Sequence, residues 1–168
     1  EAVYIHPFDH PYLWEGVAEI MDEVIAEGLQ PDAVVLSVGG GSLLSGISQG
    51  LKAHGLNVPI YAVETEGTAS LNTAMKAKQH ITLDQVTGIA TTLAAKQVCK
   101  NAFDISQNTQ VEGVTVSDQE ALSACFNFLD DHRTLVEPAC GATLSVLYDQ
   151  KITFEPSANV LVIVCGGA

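Results

Sequence analysis

Positive charge is the scarcest property of this chain. Of 168 residues only 7 are Lys or Arg, against 20 Asp or Glu, which leaves a formal net charge of −13. DNA, RNA and anionic membrane surfaces are held by basic side chains, so the composition argues against all of these as partners. Long apolar runs are also missing. No stretch approaches the ~20 residues that a bilayer-spanning helix needs, and the N-terminus lacks the basic-then-apolar layout of a secretory signal. Cysteine is sparse: Cys99, Cys125, Cys140 and Cys165 show no C-x-x-C spacing. Reduced thiols in a cytoplasmic protein are the expectation. No Gly-Lys-Ser or Gly-Lys-Thr follows a glycine run, which excludes a P-loop, and no serine sits in a G-x-S-x-G elbow. Internal repeats, low-complexity tracts and linkers are absent.

What remains is a globular composition, 47% hydrophobic and 16% charged, in a chain the size of one ordinary domain spanning residues 1–168. Short apolar runs alternate with segments of helical periodicity. Val3-Tyr4-Ile5 reads as a strand ended by the turn residues from Pro7 to Pro11. Trp14, Val17, Ile20, Met21, Val24 and Ile25 share one helical face, and Gly28 ends that helix. Ala33 to Leu36 is a second strand and Val58 to Val63 a third, with Pro59 at its start. Thr68 can cap a helix through Leu71, Ala74 and Met75. Val111 to Val116 is another strand, and Ser117-Asp118-Gln119-Glu120 is a capping box opening a helix through Leu129. A helix over Ala142 to Tyr148 and a buried strand over Val160 to Val164 complete the pattern. Continuously apolar strands separated by amphipathic helices imply an α/β fold, a parallel sheet with helices on both faces.

Within that pattern, Gly39, Gly40 and Gly41 occupy a strand-to-helix turn, with Leu43, Leu44, Ile47 and Leu51 at helical spacing behind them. Such a turn presents unpaired N–H groups and the positive end of a helix dipole, which suits a phosphate. It also serves as a plain tight turn that binds nothing. The dinucleotide spacing G-x-G-x-x-G fails in either register, because Leu44 or Leu43 falls where glycine is required. Glu64, at the end of the next strand, keeps a dinucleotide-dependent enzyme as a minority reading. A non-catalytic phosphate- or nucleotide-binding domain is the other alternative. The ends of three strands, at Gly39 to Ser42, Glu64 to Ser70 and Cys165 to Gly167, share the sheet edge where ligands bind in such folds.

The segments Pro7-Phe8-Asp9 with Trp14-Glu15-Gly16, Ser37-Val38-Gly39-Gly40-Gly41, Glu64-Thr65 with Gly67, Leu135 to Ala142 and Val162 to Gly167 together resemble the pyridoxal-phosphate (PLP) enzymes of the tryptophan synthase β superfamily, fold type II. Trp-Glu-Gly and the terminal Cys-Gly-Gly resemble its serine dehydratase branch. The threonine deaminases and serine racemases, which are alternative relatives, usually carry Ser where Cys165 stands. The resemblance implies an ammonia-lyase acting on L-serine, and on L-threonine, by α,β-elimination. It implies that Gly39, Gly40, Gly41 and Ser42 surround the cofactor phosphate and that Cys165 stands beside the pyridine nitrogen. It further implies that Glu64, Thr68 and Ser70, with carbonyls of Gly39, Leu93 and Ala95, hold a monovalent cation, K⁺. Ser42 replaces the family's usual fourth glycine, and Thr68 replaces an alanine.

Two departures accompany the resemblance. The superfamily's Schiff-base lysine lies in a Ser-Phe-Lys or Ser-Gly-Lys segment. Here Lys52, Lys76, Lys78, Lys96, Lys100 and Lys151 lie in no such motif, so no catalytic residue is assigned. The chain also stops just after Cys-Gly-Gly. It is therefore expected to be the C-terminal portion of the large cofactor domain, inactive alone, with an N-terminal part and a small domain elsewhere and a homodimer as the assembly.

Other residues read more plainly. His6 and His10 are separated by Pro7, which denies them a common helix face, and a zinc site needs more ligands than their loop offers. His54, His80 and His132 fall at helix ends or in loops. Asp130-Asp131-His132 matches a triad only in sequence. Cys140 reads as a packing cysteine rather than a nucleophile, and Glu137 either caps a helix or supports the cofactor.

Overall fold

The structure is a computed structural model that describes residues 2–167. Among the described residues six α-helices and four strands follow in order: α1 (Pro11–Ala26), β1 (Ala33–Ser37), α2 (Ser42–Ala53), β2 (Ile60–Thr65), α3 (Ser70–Ala77), α4 (Lys100–Asn108), β3 (Val111–Val116), α5 (Asp118–His132), α6 (Pro138–Tyr148) and β4 (Val160–Val162). The four strands form a parallel sheet in the order β3-β2-β1-β4.

Strand periodicity divides the core. Val34, Leu36, Ile60 and Ala62 point to one face, where they pack with Met21 of α1, Leu44 and Ile47 of α2, Leu71 of α3 and Ala102 of α4. Val35 and Val63 point to the other, against Ala139, Ala142 and Val146 of α6. Both faces of β1 are therefore covered, as its unbroken Ala-Val-Val-Leu run requires. On the first face α1 and α2 cross closely, because Gly46 and Gly50 present no side chain where Val17 and Met21 pack.

The topology places the ligand edge. The chain steps outward from β1 to β2 to β3 and then returns to the far side of β1 with β4. The strand order reverses between β1 and β4, which opens a crevice at their carboxyl ends.

Several expectations shift. Val3, Tyr4 and Ile5 pair with no strand and are 83%, 78% and 75% exposed. An apolar triplet forms a strand only where a sheet edge receives it. The last strand is shorter than Val160 to Val164 and only half-buried, because it lies at the sheet's edge. Helix α6 begins at Pro138, whose missing N–H and fixed φ suit a first helical position. Helix α4 gave no usable sequence signal; only Ala102 and Ser106 of its residues are buried.

Thr68 does not cap α3. The N-cap is Ala69, without a side-chain cap bond, and the Thr68 hydroxyl instead meets that of Thr65 at 2.9 Å. The capping box does form: Ser117 Oγ accepts from the Glu120 N–H at 3.2 Å, and Glu120 Oε2 accepts from the Ser117 N–H at 2.7 Å.

Candidate functional site

A cleft of about 180 Å³ opens at the β1/β4 crevice. Its lining includes Ser37, Gly39 to Leu43, Glu137 and Cys165, with Phe8 on one side and Thr92 and Leu93 on the other. The glycine turn is shaped by backbone contacts. Gly41 is the N-cap of α2 at φ +92°, in the left-handed region where a Cβ is strained. A Cβ on Gly40 would fall 2.1 Å from the Phe8 ring. Among the described residues nothing accepts from the N–H groups of Gly39, Gly40 or Gly41. Unpaired donors at a helix start form a cradle for an oxyanion, so the turn fits a cofactor phosphate. Ser42, the first residue of α2, stands at the mouth, half-buried.

Across the cleft, Cys165 is exposed and follows β4. The Gly166 N–H donates to Cys140 Sγ at 3.2 Å, and Cys140 Sγ donates to the Gly166 carbonyl at 3.4 Å. The neighbouring Cys165 side chain lowers the Cys140 thiol, and Cys140 with burial pushes the Cys165 thiol up. Thr92 donates its hydroxyl to Glu137 Oε2 at 2.9 Å, fixing that carboxylate in the lining. The sequence leaves Glu137 undecided and assigns no role in the cleft to Phe8 or Thr92.

Beside the cleft lies a buried oxygen cluster. Register pairs Ser37 with Val63, so Val38 falls level with Glu64 and Gly39 one residue beyond it. The fully buried Glu64 carboxylate accepts from the N–H groups of Leu71 and Asn72 at 2.8 and 2.7 Å and from Asn72 Nδ2 at 2.9 Å. Burial pushes its carboxyl up, and the bonds from Asn72 and Leu71 oppose that. Ser70 is also fully buried; its hydroxyl lies toward the Glu64 carboxylate and makes no hydrogen bond of ordinary geometry among the described residues. Thr68 is buried too, and a Cβ on Gly39 would touch Leu93 Cα at 3.0 Å. The buried Glu64 carboxylate and Ser70 hydroxyl offer oxygen donors only, the ligand type that a hard cation prefers. No group of three or more His, Cys, Asp and Glu side chains among the described residues could hold a metal ion.

The remaining histidines have structural partners. His6 Nδ1 accepts from the Asp9 N–H at 2.8 Å, and His10 Nδ1 from the Tyr12 N–H at 3.3 Å. His54 contacts Asp22 at 2.6 Å, while His80 and His132 stack on Phe103 and Phe128. Asp131 accepts from the Tyr148 hydroxyl, not from His132. All six lysines are exposed and none lines the cleft. No helix among the described residues is long and apolar enough to cross a membrane.

The family described as pyridoxal-phosphate dependent enzyme matches residues 1–166. The chain is 46% identical to the L-serine dehydratase of Dictyostelium discoideum, over 98% of this chain and 50% of that protein. It is 38% identical to a putative truncated L-serine dehydratase, SDL1, of Saccharomyces cerevisiae, over the whole of this chain and 88% of that one. Among solved structures, a fungal L-serine ammonia-lyase from Rhizomucor miehei superposes with a TM-score of 0.94 at 33% identity, covering 99% of this chain and 55% of the other. The chain thus spans about half the length of the full-size dehydratase and the lyase, and the dinucleotide reading gives way. A turn of free N–H donors at the switch point, a thiol across it and a match along nearly the whole sequence lead to one assignment: the chain belongs to the family of pyridoxal-phosphate-dependent enzymes.

Proposed function

We propose that this chain is the C-terminal portion of the large cofactor domain of a cytoplasmic L-serine ammonia-lyase. That enzyme acts on L-serine and L-threonine to give a 2-oxo acid and ammonia by α,β-elimination. The observation that carries the reading is the placement of the glycine turn and Cys165 in one cleft at the β1/β4 crevice. In this reading the N–H groups of Gly39, Gly40 and Gly41, with the Ser42 hydroxyl, hold the cofactor phosphate. Bound pyridoxal phosphate supplies an electron sink for the pair left when the α-proton departs. Cys165 faces the pyridine nitrogen. A thiol is a weak donor, so it leaves that nitrogen largely unprotonated, which favours loss of the β-hydroxyl over transamination. Glu64, Ser70 and the carbonyls of Gly39, Thr68, Leu93 and Ala95 hold K⁺, and the buried Ser70 hydroxyl beside Glu64 supports that placement. The lysine that carries the cofactor and moves the α-proton is supplied by a segment outside these 168 residues, because none of the six here lines the cleft.

The absence of a lysine from the cleft also favours a second reading, a non-catalytic phosphate-binding domain. Joining this chain to a lysine-bearing N-terminal half and assaying 2-oxo acid release from L-serine separates the two. We expect pyruvate, and faster turnover when K⁺ replaces tetramethylammonium. A folded, cofactor-loaded protein that releases no pyruvate would sink the lyase reading; equal turnover in both salts would sink the cation site.

A further inference from the structure

Gly40 is held from two sides by segments remote from it in the chain. On one side stands Phe8: a Cβ on Gly40 would fall 2.1 Å from Phe8 Cγ, so one α-hydrogen of Gly40 points at the ring. On the other, the Cys99 N–H donates to the Gly40 carbonyl at 2.9 Å. Phe8 is itself braced. The His6 ring meets it edge to face, with centroids 4.6 Å apart. His6 Nδ1 accepts from the Phe8 and Asp9 N–H groups at 3.3 and 2.8 Å, and Trp14 Nε1 donates to the Phe8 carbonyl at 3.0 Å. Phe8 also lines both the cleft and a neighbouring cavity of about 440 Å³, whose walls carry Asp9, His80, Lys96 and Lys100.

Three successive glycines have no side chains to fix their own backbone, and the free N–H groups of Gly39, Gly40 and Gly41 are tied by no internal bond. Something outside the turn must order it. We propose that Phe8 is a positioning residue for the anion cradle: its ring, set against Gly40, holds the free N–H groups of the turn in one arrangement. With the Gly40 carbonyl fixed by Cys99, a ring on the opposite side removes the remaining freedom of that peptide. Donors ordered in advance bind more tightly, because the ordering cost is not met at binding. The ring also stands between the turn and the neighbouring cavity, so its loss would join the two and let water reach the donors.

The inference rests on the reading of the turn as a phosphate site. The probes are pyridoxamine 5′-phosphate and pyridoxamine, which carry no aldehyde and form no Schiff base with surface lysines, titrated against the chain by fluorescence. We expect the unsubstituted chain to prefer the phosphate form. Phe8→Ala should lose about 10-fold in affinity for that form, the worth of one well-placed hydrogen bond, and bind pyridoxamine as before. Phe8→Tyr should restore the preference, and Trp14→Phe, which frees the Phe8 carbonyl, should fall between. Proton NMR of the ligand-free chain should show one Gly40 α-proton shifted upfield by the ring, a shift that Phe8→Ala abolishes and Phe8→Tyr keeps. A phosphate preference that survives intact in Phe8→Ala overturns this inference alone, as does a loss shared equally by both probes. An unsubstituted chain that binds both probes alike sinks the phosphate reading and this inference with it. Where Phe8→Ala does not fold, Trp14→Phe and the α-proton shift of the unsubstituted chain decide, and an unshifted proton overturns the proposal.

Discussion

Glu64→Gln probes the buried oxygen cluster, and its effect can be worked from the contacts. The carboxylate accepts three hydrogen bonds, one at Oε1 from Leu71 and two at Oε2 from Asn72. Glutamine keeps one acceptor and replaces the other with an NH₂ that faces a donor. In the better orientation its oxygen stays on Asn72, and the Leu71 N–H is left buried opposite another N–H. Each such loss costs about 1–3 kcal/mol, more when the acceptor was charged. Relief of the buried charge offsets part of this, so the net destabilisation should be about 2–3 kcal/mol. For a chain of this size that corresponds to a fall of about 4–12 °C in Tm. Burial raises the folded-state carboxyl above its ordinary 4.5. Its contribution is therefore fully present below that value and is lost as pH rises through the folded value. A bound cation offsets the loss, so K⁺ should stabilise the unsubstituted chain more as pH rises and leave Glu64→Gln unaffected. Thermal unfolding by circular dichroism, in KCl against tetramethylammonium chloride at matched ionic strength, reads both effects. A Gln variant as stable as the parent would refute the bonding argument, and a K⁺ effect that grows toward acid would refute the cation argument.

Gly40→Asp adds a carboxylate at the phosphate turn and drives a Cβ to 2.1 Å from Phe8; PLP affinity should fall by at least ~100-fold, about 2.7 kcal/mol, and unchanged affinity by absorbance titration of a folded variant would count against the turn. Cys165→Ser in the longer protein should keep much of the lyase activity while Cys165→Asp alters the reaction or abolishes it, so wild-type kinetics from the Asp variant would refute the ring-nitrogen placement. Ser117→Ala removes the α5 capping box at a cost of about 1 kcal/mol. Lys151 and Ser117 hold Glu120 at about 2, so its stabilisation is present above 4.5 and lost as pH falls toward about 2; Tm of the Ala variant should show a shallower acid limb. Borohydride treatment of this chain with PLP should leave no stoichiometric pyridoxyl group on any one of the six exposed lysines; a single fully labelled lysine in the mass spectrum would show that the chain carries its own Schiff-base site.

Legibility in the sequence followed the range of the interactions. β1, the glycine turn and α2 were readable because apolar continuity, left-handed backbone and helical spacing are local properties. The α5 capping box was readable for the same reason, since its partners stand three residues apart. Thr68 misled because capping was assumed to come from the adjacent chain. The start of α3 is held by Glu64, six residues upstream of Ser70 at the end of β2, and only the fold brings that carboxylate to Leu71 and Asn72. The Val3-Tyr4-Ile5 strand failed because β-propensity needs a receiving edge. The Cys140–Gly166 contact spans 26 residues and left no local trace. Phe8, noted only within the Pro7-Phe8-Asp9 segment, and Thr92 were given no role because their place in the cleft depends on loop paths and not on motif spacing.

The two sides of the cleft hang from strands of unequal security. The glycine turn follows β1, which has neighbours on both sides, whereas Cys165 follows β4, three residues long and paired with β1 alone. Amide exchange in such an edge strand proceeds by cheap local opening, while exchange in a central strand awaits opening close to global unfolding. If a ligand occupies the cleft as proposed, the Cys165 side should open more often than the glycine turn and so set the rate of release.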